Sequence, residues 1–305
     1  MSVPIPVEIR EVGPRDGLQM EEPVDFAAKC RWLESLVAAG LTSIEATAFV
    51  SPRAVPAMAD AAQVAQFVQR LSAIRWAALV ASPNGARRAV DAGIVDVEYV
   101  VSAADGHSQA NTRRSSDEAV AAVAEVAELV HAADGTCEVI IATAWDCPFD
   151  GPTPPSRTAA VAASAVELGA DRLCLGDTIG TATPTRVERL LRHIRAAHPS
   201  IPLGAHFHDT RGTGIANAWT ALRAGVTRLD ASIGGLGGCP FAPGASGNIA
   251  TEELVYSLSE SDYTTPVDLA ALLRAAAETE RLVGHPLDSS LYRANGPSTP
   301  RGAGR

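Results

Sequence analysis

The 305-residue sequence contains almost no lysine, because Lys29 is the only one among its 25 basic residues. Acidic residues outnumber basic ones, and the formal net charge is −10. Nucleic acids and anionic membrane surfaces both require a basic footprint on their partner, so this charge argues against either as a ligand. A small anion can still bind in a local basic pocket.

Paired cysteines and long apolar runs are also missing. The five cysteines are odd in number and include no CxxC pair, which disfavours a disulfide framework or a zinc ribbon. No uninterrupted apolar run approaches the roughly 18 residues that a membrane span needs. The N-terminal stretch "MSVPIPVEIR" has neither an apolar core nor a cleavage site. We therefore expect a cytoplasmic protein with no membrane partner.

A repeated pattern of helix, glycine and strand organises the chain. In four segments an Ala-rich helical stretch ends in glycine and an apolar run follows: "AAGLTSIEA", "DAGIVDVEYVV", "ELGADRLCLG" and "RAGVTRLDASI". Glycine just past a helix accepts the left-handed conformation that ends it, so each segment predicts a helix, its C-cap and a strand.

Four further apolar runs, at residues 7–12, 75–80, 137–142 and 203–208, complete eight strand-helix units. Eight such units over about 250 residues predict a (β/α)8 TIM barrel. A doubly wound open sheet is the alternative, and the lack of G-x-G-x-x-G after the first strand weighs against its dinucleotide-binding form. We expect one barrel domain over residues 1–285, including a loop at 234–248 and additional C-terminal helices, and a loose tail at 286–305.

Barrel enzymes build their sites at the C-terminal ends of the strands, and polar residues gather there in this sequence. Arg15 and Asp16 follow the first predicted strand, and Glu45 lies within the second. Other polar residues end or follow later strands: Asp177, His206, His208, Cys239, Asn248 and Glu252. This distribution predicts an active site at the barrel mouth.

The two histidines are spaced i and i+2 on a predicted strand, so their side chains share one face. Together with Asp16 and Asn248 they form a set of oxygen and nitrogen ligands suited to Mg²⁺ or Mn²⁺, whereas a structural zinc site would favour thiolates. We therefore predict a metal centre from Asp16, His206, His208 and Asn248.

Two of the remaining residues leave alternatives open, and a third suggests a mobile loop over the site. Glu45 is either catalytic or a buried carboxylate paired with Arg15 or Arg53. Asp177 either belongs to the site or caps a helix, since "GDTIG" can form a turn. Cys239 lies in a glycine-dense loop, which suggests a lid that supplies an acid or a base.

Four motifs, "EVGPRDGLQ", "LGDTIG", "HFHDTRGTGIAN" and "GGLGGCPFAPGASGNIATEELVY", resemble those of 3-hydroxy-3-methylglutaryl-CoA lyases and related barrel metallolyases, over residues 7–283. The resemblance implies that Asp16, His206, His208 and Asn248 bind the cation. It implies further catalytic residues at Arg15, at the lid thiol Cys239, and at Glu45, Asp177 and Glu252.

The activity implied is metal-dependent cleavage of a 3-hydroxyacyl-CoA, with 3-hydroxy-3-methylglutaryl-CoA giving acetyl-CoA and acetoacetate. In such a reaction Arg15 would neutralise the enolate oxygen, and Cys239 would protonate the enolate carbon. His206 is the first candidate to accept the hydroxyl proton. A Schiff-base aldolase is excluded, because Lys29 lies on the first predicted helix, away from the mouth. The resemblance also implies a homodimer and a role in leucine catabolism.

Three positions depart from the family pattern: Glu22 replaces a lysine, Asp146 a glycine and Arg211 an aromatic residue. They leave the acyl group open, so citramalyl-CoA or a longer branched 3-hydroxyglutaryl-CoA is an alternative substrate. A condensing synthase and a non-catalytic barrel are weaker alternatives. Candidate contacts to substrate or coenzyme A are Gln19, Ser102, Asn111 and Arg211. Arg113 and Arg114 either bind the coenzyme's phosphates or are solvated surface residues.

Overall fold

The computed structural model describes residues 3–238 and 247–294. Eight parallel strands close into a barrel in chain order, as predicted. They are β1 (Glu8–Glu11), β2 (Ser43–Ala48), β3 (Arg75–Val80), β4 (Asp96–Ser102), β5 (Thr136–Ala142), β6 (Arg172–Asp177), β7 (Leu203–Phe207) and β8 (Arg228–Ala231). The TIM-barrel fold predicted from the alternating pattern is thus confirmed.

Helices surround the barrel and bury their apolar faces against the outer surface of the strands. They are α1 (Phe26–Ala38), α2 (Ala61–Val68), α3 (Pro83–Asp91), α4 (Asp105–Thr112), α5 (Ser116–Ala121), α6 (Val123–His131), α7 (Pro155–Glu167), α8 (Pro184–Ala197), α9 (Gly214–Arg223), α10 (Thr251–Leu258), α11 (Leu269–Val283) and α12 (Ser290–Arg293). Within the described ranges, no helix combines the length and apolarity that crossing a bilayer requires.

The glycines that organise the sequence pattern adopt the backbone conformation expected of them. Gly40, Gly93, Gly169 and Gly225 have φ of 89°, 90°, 104° and 89°. Side chains with a Cβ rarely adopt these values, so glycine ends each helix and directs the chain into the next strand.

The segment after α11 packs against the barrel, contrary to the predicted loose tail from residue 286. Leu287 is buried, and the backbone N–H groups of Asp288 and Ser289 both donate to the Gly234 carbonyl at 3.1 Å. Sequence composition suggested a tail because the run is short and rich in loop formers, but these contacts fix residues 286–294. Later residues lie outside the described ranges.

Charged side chains fill the barrel interior below the mouth. Arg10 and Arg228 lie among three buried carboxylates, and we call the five residues the ionic layer: Arg10, Glu98, Glu138, Arg228 and Asp230. Burying charge is costly unless opposite charges meet, and here every member has a partner of opposite sign.

Glu11, the last residue of β1, connects three loops at the mouth. Its carboxylate accepts hydrogen bonds from Gly13 N at 2.8 Å, Ile233 N at 2.9 Å and Thr251 Oγ1 at 2.6 Å. Burial raises the pKa of Glu11 to about 7, although these three hydrogen bonds oppose the shift. The π-helix Gly13–Gly17 and the turn Ile233–Gly235 are thereby fixed relative to α10.

Candidate functional site

A cavity of about 150 Å³ opens at the C-terminal ends of the strands. One wall is polar and includes Arg15, Asp16, Gln19, His206 and His208. The opposite side is largely apolar and consists of Leu79, Val100, Ile140 and Ala142 together with His107 and Asn111 of α4. The mouth is where barrel enzymes place their chemistry, so this cavity is the candidate active site.

Three potential metal ligands converge on the polar wall. Asp16 comes from the π-helix after β1, His206 is the penultimate residue of β7, and His208 directly follows that strand. Each can offer one ligand atom such that all three atoms lie within 4.8 Å of one another. The i, i+2 spacing places both imidazoles on one side of the strand, with ring centroids 5.1 Å apart.

Asn248 completes the set through an unusual hydrogen-bonding arrangement. Its Nδ2 donates to Asp16 Oδ2 at 2.6 Å and to the Leu236 carbonyl at 2.9 Å. Its Oδ1 is buried and accepts no hydrogen bond from any residue that the structure describes. A buried carbonyl oxygen without a partner is costly, and beside a carboxylate and two imidazoles it fits a divalent cation.

Close approach of these groups depends on a glycine. Gly237 has φ of 109°, and a Cβ at this position would lie 2.6 Å from Asn248 Nδ2 and 3.1 Å from Asp16 Oδ2. Any larger residue would separate Asn248 from Asp16, so glycine is required here for both conformation and space.

Two of the ligand groups, His208 and Asp16, have pKa values shifted toward the protonation states that a metal needs. Burial, and then the neighbouring His206, lower the pKa of His208 to about 4, so the ring is neutral near pH 7. Burial alone would raise the pKa of Asp16, but Arg15 and the two histidines lower it below its ordinary value. A neutral imidazole and an ionised carboxylate are the forms that bind cations.

Arg15 is held by two carboxylates beside the cavity. Its Nε lies 2.7 Å from Glu45 Oε2, and its Nη1 donates to Asp16 Oδ1 at 2.6 Å. Of the two alternatives for Glu45, the structure shows the ion pair with Arg15. Burial raises the pKa of Glu45, and the positive charge of Arg15 opposes this shift. Arg15 is also the only arginine or lysine among the described residues that line the cavity.

Two predicted catalytic carboxylates, Asp177 and Glu252, do not line the cavity. Asp177 Oδ1 accepts from Thr181 N at 2.9 Å and Ala182 N at 3.2 Å, and burial raises its pKa to about 6. Glu252 accepts from Gly234 N at 3.1 and 3.2 Å. Each carboxylate therefore holds a loop in place. The helix cap suggested for Asp177 is not observed, because Thr183 is the N-cap residue of α8 and Asp177 binds the turn before it.

Of the predicted substrate contacts, two line the cavity and two do not. Gln19 and Asn111 line the cavity, and Gln19 Nε2 donates to Asp16 Oδ1 at 3.0 Å. Ser102 does not line the cavity, and its hydroxyl is hydrogen-bonded to His107 Nδ1. Arg211 donates to the carbonyls of Ile179 and Gly180 at 2.8 and 3.0 Å, so the structure places it in a loop contact outside the cavity. Cys239 lies outside the described residues, whereas Gly238, which precedes it in the chain, lines the cavity.

Sequence reasoning missed two residues that the structure places in or next to the site. His107 lines the cavity from α4, and burial lowers its pKa to about 4. Its i, i+4 spacing from Asn111 on a predicted helix was the available signal. Asp230 Oδ2 lies 3.2 Å from His206 Nδ1. A lone carboxylate inside an apolar strand, "RLDASI", was the signal for it.

Barrel and site together define a class: a TIM-barrel enzyme whose mouth combines a candidate divalent-metal centre with a buried arginine. The family model described as HMGL-like matches residues 6–278. The chain therefore belongs to the HMGL-like family. Membership of this family makes the protein a carbon–carbon lyase.

Individual relatives agree with this classification. A hydroxymethylglutaryl-CoA lyase from Bacillus subtilis is 42% identical over 95% of this chain and 97% of its own length. An (R)-citramalyl-CoA lyase from Chloroflexus aurantiacus is 40% identical over 97% and 96%. The structure of an HMG-CoA lyase from Acinetobacter baumannii, in complex with coenzyme A and 3-methylmalate, superposes with a TM-score of 0.92 at 36% identity, covering 98% of each chain.

Proposed function

We propose that the protein cleaves 3-hydroxy-3-methylglutaryl-CoA between C2 and C3, giving acetyl-CoA and acetoacetate. The observation that carries the proposal is the position of Arg15 beside the Asp16, His206 and His208 cluster on one wall of the cavity. The hydroxymethylglutaryl-CoA lyase from Bacillus subtilis and the structure from Acinetobacter baumannii, which holds coenzyme A, support this choice of substrate.

A divalent cation, which we propose to be Mg²⁺ or Mn²⁺ held by Asp16, His206, His208 and Asn248, would lower the pKa of the substrate hydroxyl and orient it. Because His206 Nδ1 faces the Asp230 carboxylate at 3.2 Å, Nε2 is the nitrogen left to hold the cation, and it then has no lone pair for the hydroxyl proton. We therefore assign His206 to the cation, and the hydroxyl proton would pass to solvent. A carboxylate at Nδ1 fixes the tautomer and orientation of a histidine that would bind a cation through Nε2.

Loss of the hydroxyl proton lets a carbonyl form at C3 as the C2–C3 bond breaks. The electron pair of that bond passes to C2 and into the thioester as an enolate. Arg15 is placed to neutralise the enolate oxygen, and its ion pair with Glu45 at 2.7 Å fixes the guanidinium before the substrate arrives. Cys239 is our candidate to return a proton to C2, which completes acetyl-CoA.

The cavity favours a compact group at C3. Opposite the polar wall, Leu79, Val100, Ile140 and Ala142 offer an apolar surface for a methyl substituent. Citramalyl-CoA carries the same methyl group and would give acetyl-CoA and pyruvate, and the 40% identical (R)-citramalyl-CoA lyase keeps this substrate as the second candidate.

Substrate profiling tests the proposal directly. Purified protein is assayed with Mg²⁺ or Mn²⁺ on 3-hydroxy-3-methylglutaryl-CoA, citramalyl-CoA and a longer branched 3-hydroxyglutaryl-CoA, with acetyl-CoA and the second product both measured. We expect the highest kcat/KM on the first, and little activity on any substrate in His208→Ala. Full activity of His208→Ala would contradict the metal assignment, and a higher kcat/KM on citramalyl-CoA would reassign the substrate.

Three wider proposals rest on the family resemblance. We propose that the protein works as a homodimer, in the cytoplasm, in leucine catabolism. Light scattering tests the first, and loss of growth on leucine in a deletion strain tests the last.

A further inference from the structure

Three neighbouring strands place Arg10, Asp230 and His206 side by side inside the barrel. In the register of the sheet His206 of β7 pairs with Asp230 of β8, and Asp230 pairs with Arg10 of β1. Register partners on parallel strands point to the same face, so the three side chains form a row from the mouth into the ionic layer.

Arg10 holds the Asp230 carboxylate through both of its oxygens. Nε donates to Oδ1 at 2.9 Å, and Nη2 donates to Oδ2 at 2.7 Å. The same Oδ2 lies 3.2 Å from His206 Nδ1. A carboxylate bound by a two-pronged guanidinium cannot rotate freely, so Oδ2 stays directed at the imidazole.

The remaining guanidinium nitrogen of Arg10 reaches the other side of the site. Nη1 contacts Glu98 and lies 3.1 Å from Glu138 Oε2. The Glu98 carboxyl lies near Glu45, and burial together with the charge of Glu45 raises the pKa of Glu98. Glu45 Oε2 in turn lies 2.7 Å from Arg15 Nε. The buried guanidinium of Arg10 is therefore linked through carboxylates to both His206 and Arg15.

We propose that Arg10 is a positioning residue for the candidate metal centre. By holding Asp230, it fixes the ring of His206 with Nδ1–H donated to the carboxylate, which leaves Nε2 as the nitrogen available to a cation. Partners of this kind behind a histidine ligand change metal affinity by roughly 10-fold to 100-fold when removed. The inference rests on the metal centre of the proposed function.

Arg228 provides a matched control in the same layer. It is equally buried and contacts Glu138, but its Nε lies 3.9 Å from Asp230 Oδ1, beyond hydrogen-bond distance. Arg10→Met and Arg228→Met each remove one buried positive charge. Loss of charge alone would strengthen cation binding in both variants, whereas loss of positioning weakens it only in Arg10→Met.

The experiment measures Mn²⁺ binding to the metal-stripped full chain by calorimetry or electron paramagnetic resonance. We expect Arg10→Met to raise the Kd for Mn²⁺ at least about 10-fold, and Arg228→Met to bind at least as tightly as the parent. Equal Mn²⁺ affinities in the two variants would overturn the proposal. A parent protein that binds no Mn²⁺ would instead contradict the metal centre of the proposed function.

Asp230→Asn keeps the test decisive if Arg10→Met does not fold. Arg10 donates to both Asp230 oxygens, so either orientation of an amide places its NH₂ against a donor on one of them. In one orientation the amide oxygen still accepts from His206, but its NH₂ meets Arg10 Nε–H; in the other, its NH₂ meets both Arg10 Nη2–H and His206 Nδ1–H. We therefore expect weaker Mn²⁺ binding than in the parent. Parental affinity in Asp230→Asn would overturn the proposal independently of Arg10.

Discussion

The ionic layer and the mouth of the barrel both bury charged side chains, but they differ in what satisfies them. In the ionic layer, Arg10 and Arg228 meet Glu98, Glu138 and Asp230, so every charge has a partner of opposite sign, although Glu98 Oε2 and Arg228 Nε form no hydrogen bond in the described part of the chain. At the mouth, Asp16, His206 and His208 turn ligand atoms toward one another, and within the described residues nothing donates to Asn248 Oδ1.

This difference separates groups that support the site from groups that bind a ligand. Buried polar groups are normally paired, and native proteins depart from that rule mainly at functional positions. A change in the ionic layer should therefore act on stability and positioning, whereas a change at the mouth should act on binding and rate. The following predictions test that division.

The largest expected effect is on turnover, from Arg15→Met. This change removes the one arginine or lysine that lines the described part of the cavity, so kcat should fall roughly 10²-fold to 10³-fold. Steady-state kinetics on the best substrate provides the measurement, and Mn²⁺ binding should persist. Arg15→Lys keeps the charge but not both carboxylate contacts, so its kcat should lie between those of the parent and Arg15→Met. A parental kcat in Arg15→Met would place the chemistry elsewhere.

Metal should stabilise the mouth in the parent but not in His208→Ala. A ligand at 100 times its Kd stabilises the folded state by about 2.7 kcal/mol. Thermal unfolding in EDTA and in saturating Mn²⁺ should therefore show a higher Tm with metal in the parent and little change in the variant. Equal shifts in both proteins would mean that Mn²⁺ binds at another site.

Glu11 should make stability depend on pH. Its folded pKa of about 7 exceeds the ordinary value of 4.5, so its contribution is fully present below pH 4.5 and is lost as the pH rises through 7. The free energy of unfolding of the metal-free parent should fall on the order of 3 kcal/mol across that window. Glu11→Gln keeps acceptance from Gly13 N and Ile233 N and should flatten the profile in urea unfolding. An unchanged profile would assign the pH dependence to other groups.

The smallest effect is expected from Lys29→Met. Lys29 Nζ is bound to Asp60 at 2.7 and 2.9 Å on the outside of the barrel, and it does not line the cavity. The variant should retain kcat, and borohydride with substrate should not inactivate the parent. Inactivation by borohydride would indicate that the enzyme forms a Schiff base with the substrate.

Much of the site was predictable because it lies at strand ends. Asp16, His206 and His208 converge as their i, i+2 spacing and strand-end positions predicted, since parallel strands in a barrel end at one face. The directions of Asp177, Glu252 and Arg211 were not predictable. Each could face the cavity or a loop, and backbone groups distant in sequence decide which, such as Gly234 N for Glu252.

By itself, the sequence determined the order of strands and helices, the glycine helix ends and the candidate ligand types, because these depend on local periodicity and backbone conformation. Only the tertiary structure decided that Arg10 holds Asp230, that Asp230 faces His206, and that Asn248 Oδ1 is buried with no donor among the described residues. These contacts join residues up to 232 positions apart, and barrel closure alone brings them within hydrogen-bond distance.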